Sequence, residues 1–327
     1  MTSPRRALVT GITGQDGSYL VERLLDEGTV VHGLVRPTDT EAEALRRRLP
    51  QVVLHEGDLA DTDRLRAIVA DAEPDEIYNL AGISSVARSW DEPELTASLS
   101  GVAVAALLDA AYRLQGASGR RVRFLQASSA EIFGAPTDVP QDEQTPIAPV
   151  TPYGAAKAFA HHLVGVYRGR DLHASACILY NHESPRRPAT FVTRKITQVA
   201  AQIGVTGAGS LSLGNLDARR DWGWAPDYVD AMVRAVRHPA PDDYVIATGE
   251  SHSVREFVEA AFHRAGVTDW RSHVEFDQGL TRPVEAHELR GDSTKARRVL
   301  GWQPTIRFEE LVERMVDHDM DIERGEA

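Results

Sequence analysis

The sequence predicts a doubly wound α/β fold: a mostly parallel sheet with helices on both faces, joined to a second, smaller α/β lobe. Three observations carry this. A glycine turn, Thr10-Gly-Ile-Thr-Gly-Gln-Asp-Gly17, directly follows a short apolar run at the start of the chain. Strand-like and helix-like segments then alternate through residue 180. After Tyr180 the rhythm breaks into shorter, proline-containing and arginine-containing segments.

The elements follow in order. Ala7–Thr10 is apolar and strand-like, and Ser18–Asp26 has helical spacing. Val30–Val35 is β-branched and reads as a strand, followed by a helix over Glu41–Arg48. Val52–Glu56 and Glu76–Leu80 are strands on either side of a helix over Asp61–Ala70. A long helix spans Pro93–Leu114, before a strand at Val122–Ala127. Pro152–Arg168 is a helix with proline at its first position, where the missing N–H is not needed. Ala174–Leu179 closes the series as a strand. Beyond it, Val192–Ile203 and Pro226–Arg237 read as helices, and Leu211–Leu213 and Tyr244–Ala247 as strands. Ser253-Val-Arg-Glu256 is a capping box that opens a helix over Val254–Ala265. Gly301-Trp-Gln-Pro304 is a turn before a last amphipathic helix. The expected division is a first lobe of residues 1–180, to which residues 222–248 return, and a second lobe of residues 181–221 and 249–327.

Composition narrows the class of function. The 327 residues are 42% hydrophobic and 26% charged, an ordinary soluble globular balance. The formal net charge of -12 argues against a nucleic-acid footprint. Cys177, the single cysteine, lies in an apolar run, so neither a disulfide nor a cysteine metal cluster is expected. No metal is expected. The chain enters a strand at once, with no signal-peptide core and no apolar run expected to span a bilayer, so the expected compartment is the cytosol and no membrane partner is expected.

The glycine turn has a specific chemistry. Gly11 permits the tight turn, Gly14 lets backbone amides approach a pyrophosphate, and Gly17 lets helix and strand pack closely. The helix beginning there offers its positive end to an anion. Gly11, Thr13, Gly14, Gln15, Asp16 and Gly17 are therefore the first candidates for binding a nicotinamide dinucleotide. At the end of the second strand stands Arg36 rather than an acid, which favours the 2′-phosphate of NADP. Asp58 and Leu59 close the third strand, beside the adenine. Leu80, Ala81, Gly82 and Ser84 close the fourth, along the cofactor.

Tyr153 and Lys157 lie four apart on one helix face. A neighbouring ammonium favours phenolate over phenol, so Tyr153 is expected at a lowered pKa, ready to exchange a proton with a substrate hydroxyl during hydride transfer. Ser129, at a strand end, is placed to hydrogen-bond the oxygen that changes oxidation state. Glu131 is either a surface acid or a base that removes a carbon-bound proton beside a new carbonyl, which is elimination chemistry rather than simple alcohol oxidation.

With these residues the chain resembles the extended short-chain dehydrogenase/reductases and, within them, the GDP-mannose 4,6-dehydratases. The likeness runs through Gly11–Leu20, Val31–Gly33, Ser128–Glu131 and Pro152–Lys157. It is most specific at Asn181-His-Glu-Ser-Pro-Arg-Arg187, Thr190–Ile196 and Leu213–Gly223. It implies a Rossmann-type fold, NADP as cofactor and GDP-mannose as substrate. Ser129, Glu131, Tyr153 and Lys157 would be the catalytic residues. It further implies that His182 and Arg187, with Tyr153 and Lys157, contact the cofactor. Ser84, Ser129, Glu131, Asn181, Val192, Lys195, Arg220, Arg282 and Glu285 would contact the nucleotide sugar. A homodimer or homotetramer is implied, with Pro93–Leu114 and Pro152–Arg168 as the dimer helices. Departures from the family pattern are Ser129 for threonine, Ala130 for serine, Phe133 for tyrosine, Ile83 for glutamine, Trp224 and Pro226 for histidine and lysine, and Pro37 where a second arginine is usual. The readings left open are a reductase of a GDP-4-keto-6-deoxy sugar, a dehydratase or epimerase for another nucleotide sugar, and a non-catalytic NADP-binding protein.

Overall fold

The computed structural model describes residues 4–280 and 286–326. Seven strands form the main sheet: β1 (Arg6–Thr10), β2 (Val30–Val35), β3 (Val53–Glu56), β4 (Glu76–Asn79), β5 (Arg123–Ser129), β6 (His173–Leu179) and β7 (Asp243–Ile246). Their spatial order is β7-β6-β5-β4-β1-β2-β3, and every pairing is parallel. The winding reverses between β1 and β4, which opens a crevice at the carboxyl ends of those strands. All seven residues of β6 are buried, as expected of a parallel strand covered on both faces.

Helices α1 (Gln15–Asp26), α2 (Glu41–Arg48), α3 (Thr62–Ala72), α4 (Pro93–Ser118), α5 (Pro152–Arg168), α6 (Val192–Thr206), α7 (Ala225–Arg237), α8 (Val254–Arg264) and α9 (Phe308–Arg324) build the layers. On one face of the sheet Val9 and Val31 pack with Leu20, Leu45 and Met232 of α1, α2 and α7. On the other, Leu8, Ile77 and Phe124 pack with Leu65, Leu107 and Val164 of α3, α4 and α5. A third core joins Ile196 of α6, Phe257 and Phe262 of α8, and Phe308 and Met315 of α9. Within it the buried ion pair of Arg194 and Asp319 ties α6 to α9.

Three differences from the sequence reading have physical causes. Helix α1 starts at Gln15, not Ser18, because the second half of the glycine turn is itself the first helical turn, with Gly14 as its N-cap. The long helix contains a wider π turn over Ser98–Val102. That helix, Pro93–Ser118, has 26 residues, and an 18-residue window of it has mean hydropathy 1.5, long and apolar enough to cross a bilayer, contrary to the expectation that no such run exists. Its most apolar window is 56% buried against its neighbours, as for the core helix of a layered fold.

Asp221 fastens the sheet edge to its surroundings. Oδ1 accepts hydrogen bonds from the Thr248 amide (2.9 Å) and hydroxyl (2.7 Å). Oδ2 accepts from the Gly249 amide (2.9 Å) and the Gly291 amide (3.3 Å). Burial pushes this carboxyl up to about 6, against the pull of those donors. Asp221→Asn must turn an NH₂ group toward at least one backbone N–H, whichever way the amide sits. Chemical denaturation at pH 8 is expected to show a loss of about 2–4 kcal/mol.

Candidate active site

The crevice is built from the glycine turn outward. Gly11 has φ +69°, and a Cβ there would lie 3.0 Å from the Ala81 amide nitrogen. At Gly17 a Cβ would fall 2.1 Å from the Gly11 carbonyl oxygen, so no side chain fits. Gly14 is exposed, and the first N–H groups of α1 beyond it have no helical acceptor. Beneath the turn, the Thr10 hydroxyl donates to Asn79 Oδ1 (2.7 Å) and accepts from the Leu80 and Ala81 amides (3.1 Å each). Asn79 Nδ2 in turn donates to Gln126 Oε1 (2.8 Å), so side chains hold the ends of β1, β4 and β5 together.

Next to this edge β5 runs into Ser129, Ala130 and Glu131. The Glu131 amide donates to Ser129 Oγ (3.2 Å). Helix α5 begins with Thr151 as cap, its hydroxyl accepting from the Gly154 amide (3.0 Å). A Cβ at Gly154 would lie 2.5 Å from the Glu131 carbonyl oxygen, so glycine there lets the first turn of α5 close on Glu131. Tyr153 is buried, and its phenol hydrogen-bonds the Ser129 hydroxyl. Lys157 is buried too, with Nζ donating to the Ala127 carbonyl (2.9 Å) and lying 5.8 Å from the Tyr153 ring centre. The four residues expected to share the chemistry are therefore together.

Their ionisation differs from the expectation that Lys157 lowers the Tyr153 pKa. Burial pushes Tyr153 up to about 12; the Ser129 hydrogen bond pulls it down and the Glu131 charge pushes it further up. Burial pushes Lys157 down to about 8, while the Asp16 carboxylate works the other way. Desolvation outweighs the tyrosine–lysine proximity, so Tyr153 stands as a neutral phenol.

A second layer of charge lies under the turn. His182 Nε2 donates to Asp16 Oδ2 (2.9 Å), and Nδ1 donates to the Tyr180 carbonyl (2.7 Å). Burial disfavours charge on both partners, yet their mutual attraction prevails, raising the His182 pKa and lowering that of Asp16. Gln15 Nε2 donates to the His182 carbonyl (3.1 Å), and the Ser184 hydroxyl donates to Gln15 Oε1 (2.8 Å). Arg187 Nε lies 3.0 Å from Glu183 Oε2, and the guanidinium covers the Phe191 ring at 3.7 Å. Its Nε is buried without a hydrogen-bond partner, and its other N–H groups have no acceptor among the described residues. An exposed glycine, outward amides and a guanidinium with unused donors fit an anionic dinucleotide.

The remaining candidates spread along the same edge. Arg36 and Asp58 are exposed after β2 and β3, and Asp58 Oδ1 accepts from the Ala60 amide (2.8 Å). Leu59 is half-buried, and Gly82 and Ser84 are exposed after β4. Asn181 opens a short strand paired with Trp222–Trp224. Val192 is exposed at the start of α6, and Lys195 Nζ donates to the Ser212 carbonyl (2.9 Å). Arg220 is buried, with Nη1 on the Arg219 (2.8 Å) and Ala286 (3.0 Å) carbonyls. Arg282 and Glu285 lie outside the described residues. No group of three or more potential metal ligands occurs among the described residues. The sequence reading missed Glu183, which accepts from the Thr193 hydroxyl (2.8 Å) as well as pairing with Arg187. It also missed Asp39, whose Oδ2 accepts from the Thr13 hydroxyl (2.9 Å). For Asp39 the spacing from the glycine turn was a usable signal; for Glu183 nothing local was.

Comparison with known proteins agrees with this geometry. Residues 8–315 match the sequence profile of the family described as GDP-mannose 4,6 dehydratase. The chain is 44% identical to GDP-mannose 4,6 dehydratase 1 of Arabidopsis thaliana, over 100% of this chain and 93% of that protein. It is 45% identical to the GDP-mannose 4,6 dehydratase of Homo sapiens, over 99% of this chain and 94% of that protein. Among solved structures, a putative epimerase from Burkholderia cenocepacia superposes with a TM-score of 0.84 at 30% identity, covering 98% of this chain and 99% of that one. RMD from Pseudomonas aeruginosa, complexed with NADPH, has a TM-score of 0.79 at 23% identity, covering 97% and 99%, and shares the fold. With its profile matched over most of its length and relatives this close, the chain belongs to the GDP-mannose 4,6-dehydratase family.

Proposed function

We propose that this chain is a hydro-lyase that converts GDP-α-D-mannose to GDP-4-keto-6-deoxy-D-mannose and water. The observation that carries this is that the Glu131 carboxylate lies near enough for its charge to act on the Tyr153 phenol beside Ser129, with α5 closed on the Glu131 backbone. Oxidation of an alcohol needs Tyr153 and Ser129; only elimination needs the added carboxylate.

The cofactor is NADP, with Arg36 meeting the 2′-phosphate, the first amides of α1 and Arg187 meeting the diphosphate, and His182 and Lys157 lining the site. When bound, the nicotinamide supplies a hydride acceptor for C4, a hydride donor for C6 and a positive charge that favours loss of a proton from a nearby phenol. Once its phenol has released its own proton to solvent beside that positive charge, Tyr153 as phenolate takes the proton from O4, with Ser129 hydrogen-bonding the same oxygen. The resulting C4 carbonyl acidifies C5–H, and Glu131 removes that proton and passes it to the C6 hydroxyl, which leaves as water. Tyr153 then holds the proton that C5 regains. Asn181, Val192, Lys195 and Arg220, together with Arg282 and Glu285, hold the nucleotide sugar, where cationic groups suit a diphosphate. The chain works as a homodimer or homotetramer, joined through exposed apolar side chains on α4 (Leu95, Val102) and α5 (Phe159, Val166).

Incubation with GDP-mannose and a catalytic amount of NADP⁺ is expected to give the 4-keto sugar with no net NADPH. Stoichiometric NADPH would instead mark a simple dehydrogenase. No turnover would reject GDP-mannose as substrate.

A further inference from the structure

The cofactor turn carries a carboxylate as well as the cation. Asp39 Oδ2 accepts from the Thr13 hydroxyl (2.9 Å), which places Asp39 against the glycine turn itself. Oδ1 accepts from the Glu41 amide (3.1 Å), and the Asp39 amide donates to the Arg36 carbonyl (3.0 Å). Arg36 and Asp39 therefore belong to one tight turn at the carboxyl end of β2. Arg36 is exposed and makes no ion pair among the described residues, and Pro37 follows it, so the turn offers a single cation.

In a doubly wound sheet, groups at this place read the 2′ position of the adenosine ribose. A carboxylate accepts a hydrogen bond from the 2′-hydroxyl of NAD, whereas an arginine pairs with the 2′-phosphate of NADP. This turn presents both. A 2′-phosphate gains from Arg36 but meets like charge at Asp39; a 2′-hydroxyl finds an acceptor in Asp39 and needs nothing from Arg36. The proposed cycle returns its hydride within one turnover, so it draws on neither the NADP nor the NAD pool for net reducing power.

We infer that Asp39 is a specificity-determining residue set against Arg36, so that this chain binds NAD as well as NADP. The inference rests on the reading of the turn as a dinucleotide site and not on the sugar chemistry. The full-length protein, freed of any copurifying dinucleotide, is titrated calorimetrically with NADP⁺ and with NAD⁺ at fixed salt. The two dissociation constants are expected to agree within about tenfold. Asp39→Asn keeps a side-chain carbonyl for the Glu41 amide, can donate its NH₂ to the Thr13 hydroxyl, and removes the charge. It should raise the ratio of NADP to NAD affinity by about tenfold, and Arg36→Ala should lower it. If Asp39 only starts α2, Asp39→Asn will move both affinities alike, and the inference is overturned. It is also overturned if the wild type fails to bind NAD⁺ at about a hundredfold the NADP⁺ dissociation constant. Loss of the dehydratase reading would show in the sugar assay alone, with these affinities intact.

Discussion

Glu131→Gln is expected to lower product formation by roughly 10³-fold while dinucleotide affinity is unchanged. The substitution is close to isosteric, and the backbone of residue 131 is held on both sides. Its amide donates to Ser129 Oγ (3.2 Å), and its carbonyl accepts from the Gly134 amide (3.3 Å). An amide side chain keeps that geometry but has no basic oxygen for a carbon-bound proton. Oxidation at C4, which relies on Tyr153 and Ser129, should survive. Hydrogen exchange separates the roles. In deuterated water the wild type should place solvent deuterium in the product, whereas Glu131→Gln should leave C5–H unexchanged in recovered substrate. Tyr153→Phe should block the cycle one step earlier, with no oxidation at C4 at all. Wild-type rates in Glu131→Gln would remove Glu131 from the mechanism and leave Tyr153 as the catalytic centre of an oxidoreductase.

Much of this site was legible because local spacing encodes it. Glycines 11, 14 and 17 after an apolar strand specify a tight turn, and the structure shows why: a Cβ at Gly17 would overlap the Gly11 carbonyl. Pro152 after a threonine cap fixes where α5 starts, and with it the face that carries Tyr153 and Lys157. Short helices were missed: Val86–Asp91 and Thr294–Leu300 are too brief to show a 3.6-residue period. The buried ionic pairs were not legible at all. Asp16 and His182 are 166 residues apart, and only the sheet order brings them together. The ionisation of Tyr153 was misjudged for the same reason, since sequence spacing reports the lysine but not the depth of burial that outweighs it.

That burial leads to a second large effect, on stability. Lys157→Met is expected to stabilise the fold by about 2 kcal/mol at pH 7 while abolishing turnover. Burial moves the lysine from its ordinary 10.5 down to about 8. Below pH 8 the folded and unfolded chains both carry the proton, and the folded chain bears the whole cost of an ammonium inside the protein, roughly 3 kcal/mol at 1.36 kcal/mol per pKa unit. Loss of the hydrogen bond to the Ala127 carbonyl returns about 1 kcal/mol of that. Between pH 8 and 10.5 the unfolded chain still binds a proton that the folded chain has released, so the unfolding free energy of the wild type rises with pH through that window. Urea denaturation at pH 7 and at pH 10 should therefore show the advantage of Lys157→Met shrinking toward zero as pH rises. A variant less stable than the wild type at pH 7, or an advantage that ignores pH, would mean that the ammonium is not the source of strain. A methionine stem fills the same space without a charge, so packing alone does not require lysine at this position. What the lysine adds is a donor fixed on the Ala127 carbonyl and a positive charge held between Asp16 and the Tyr153 ring, where the proposed cycle removes a proton from O4.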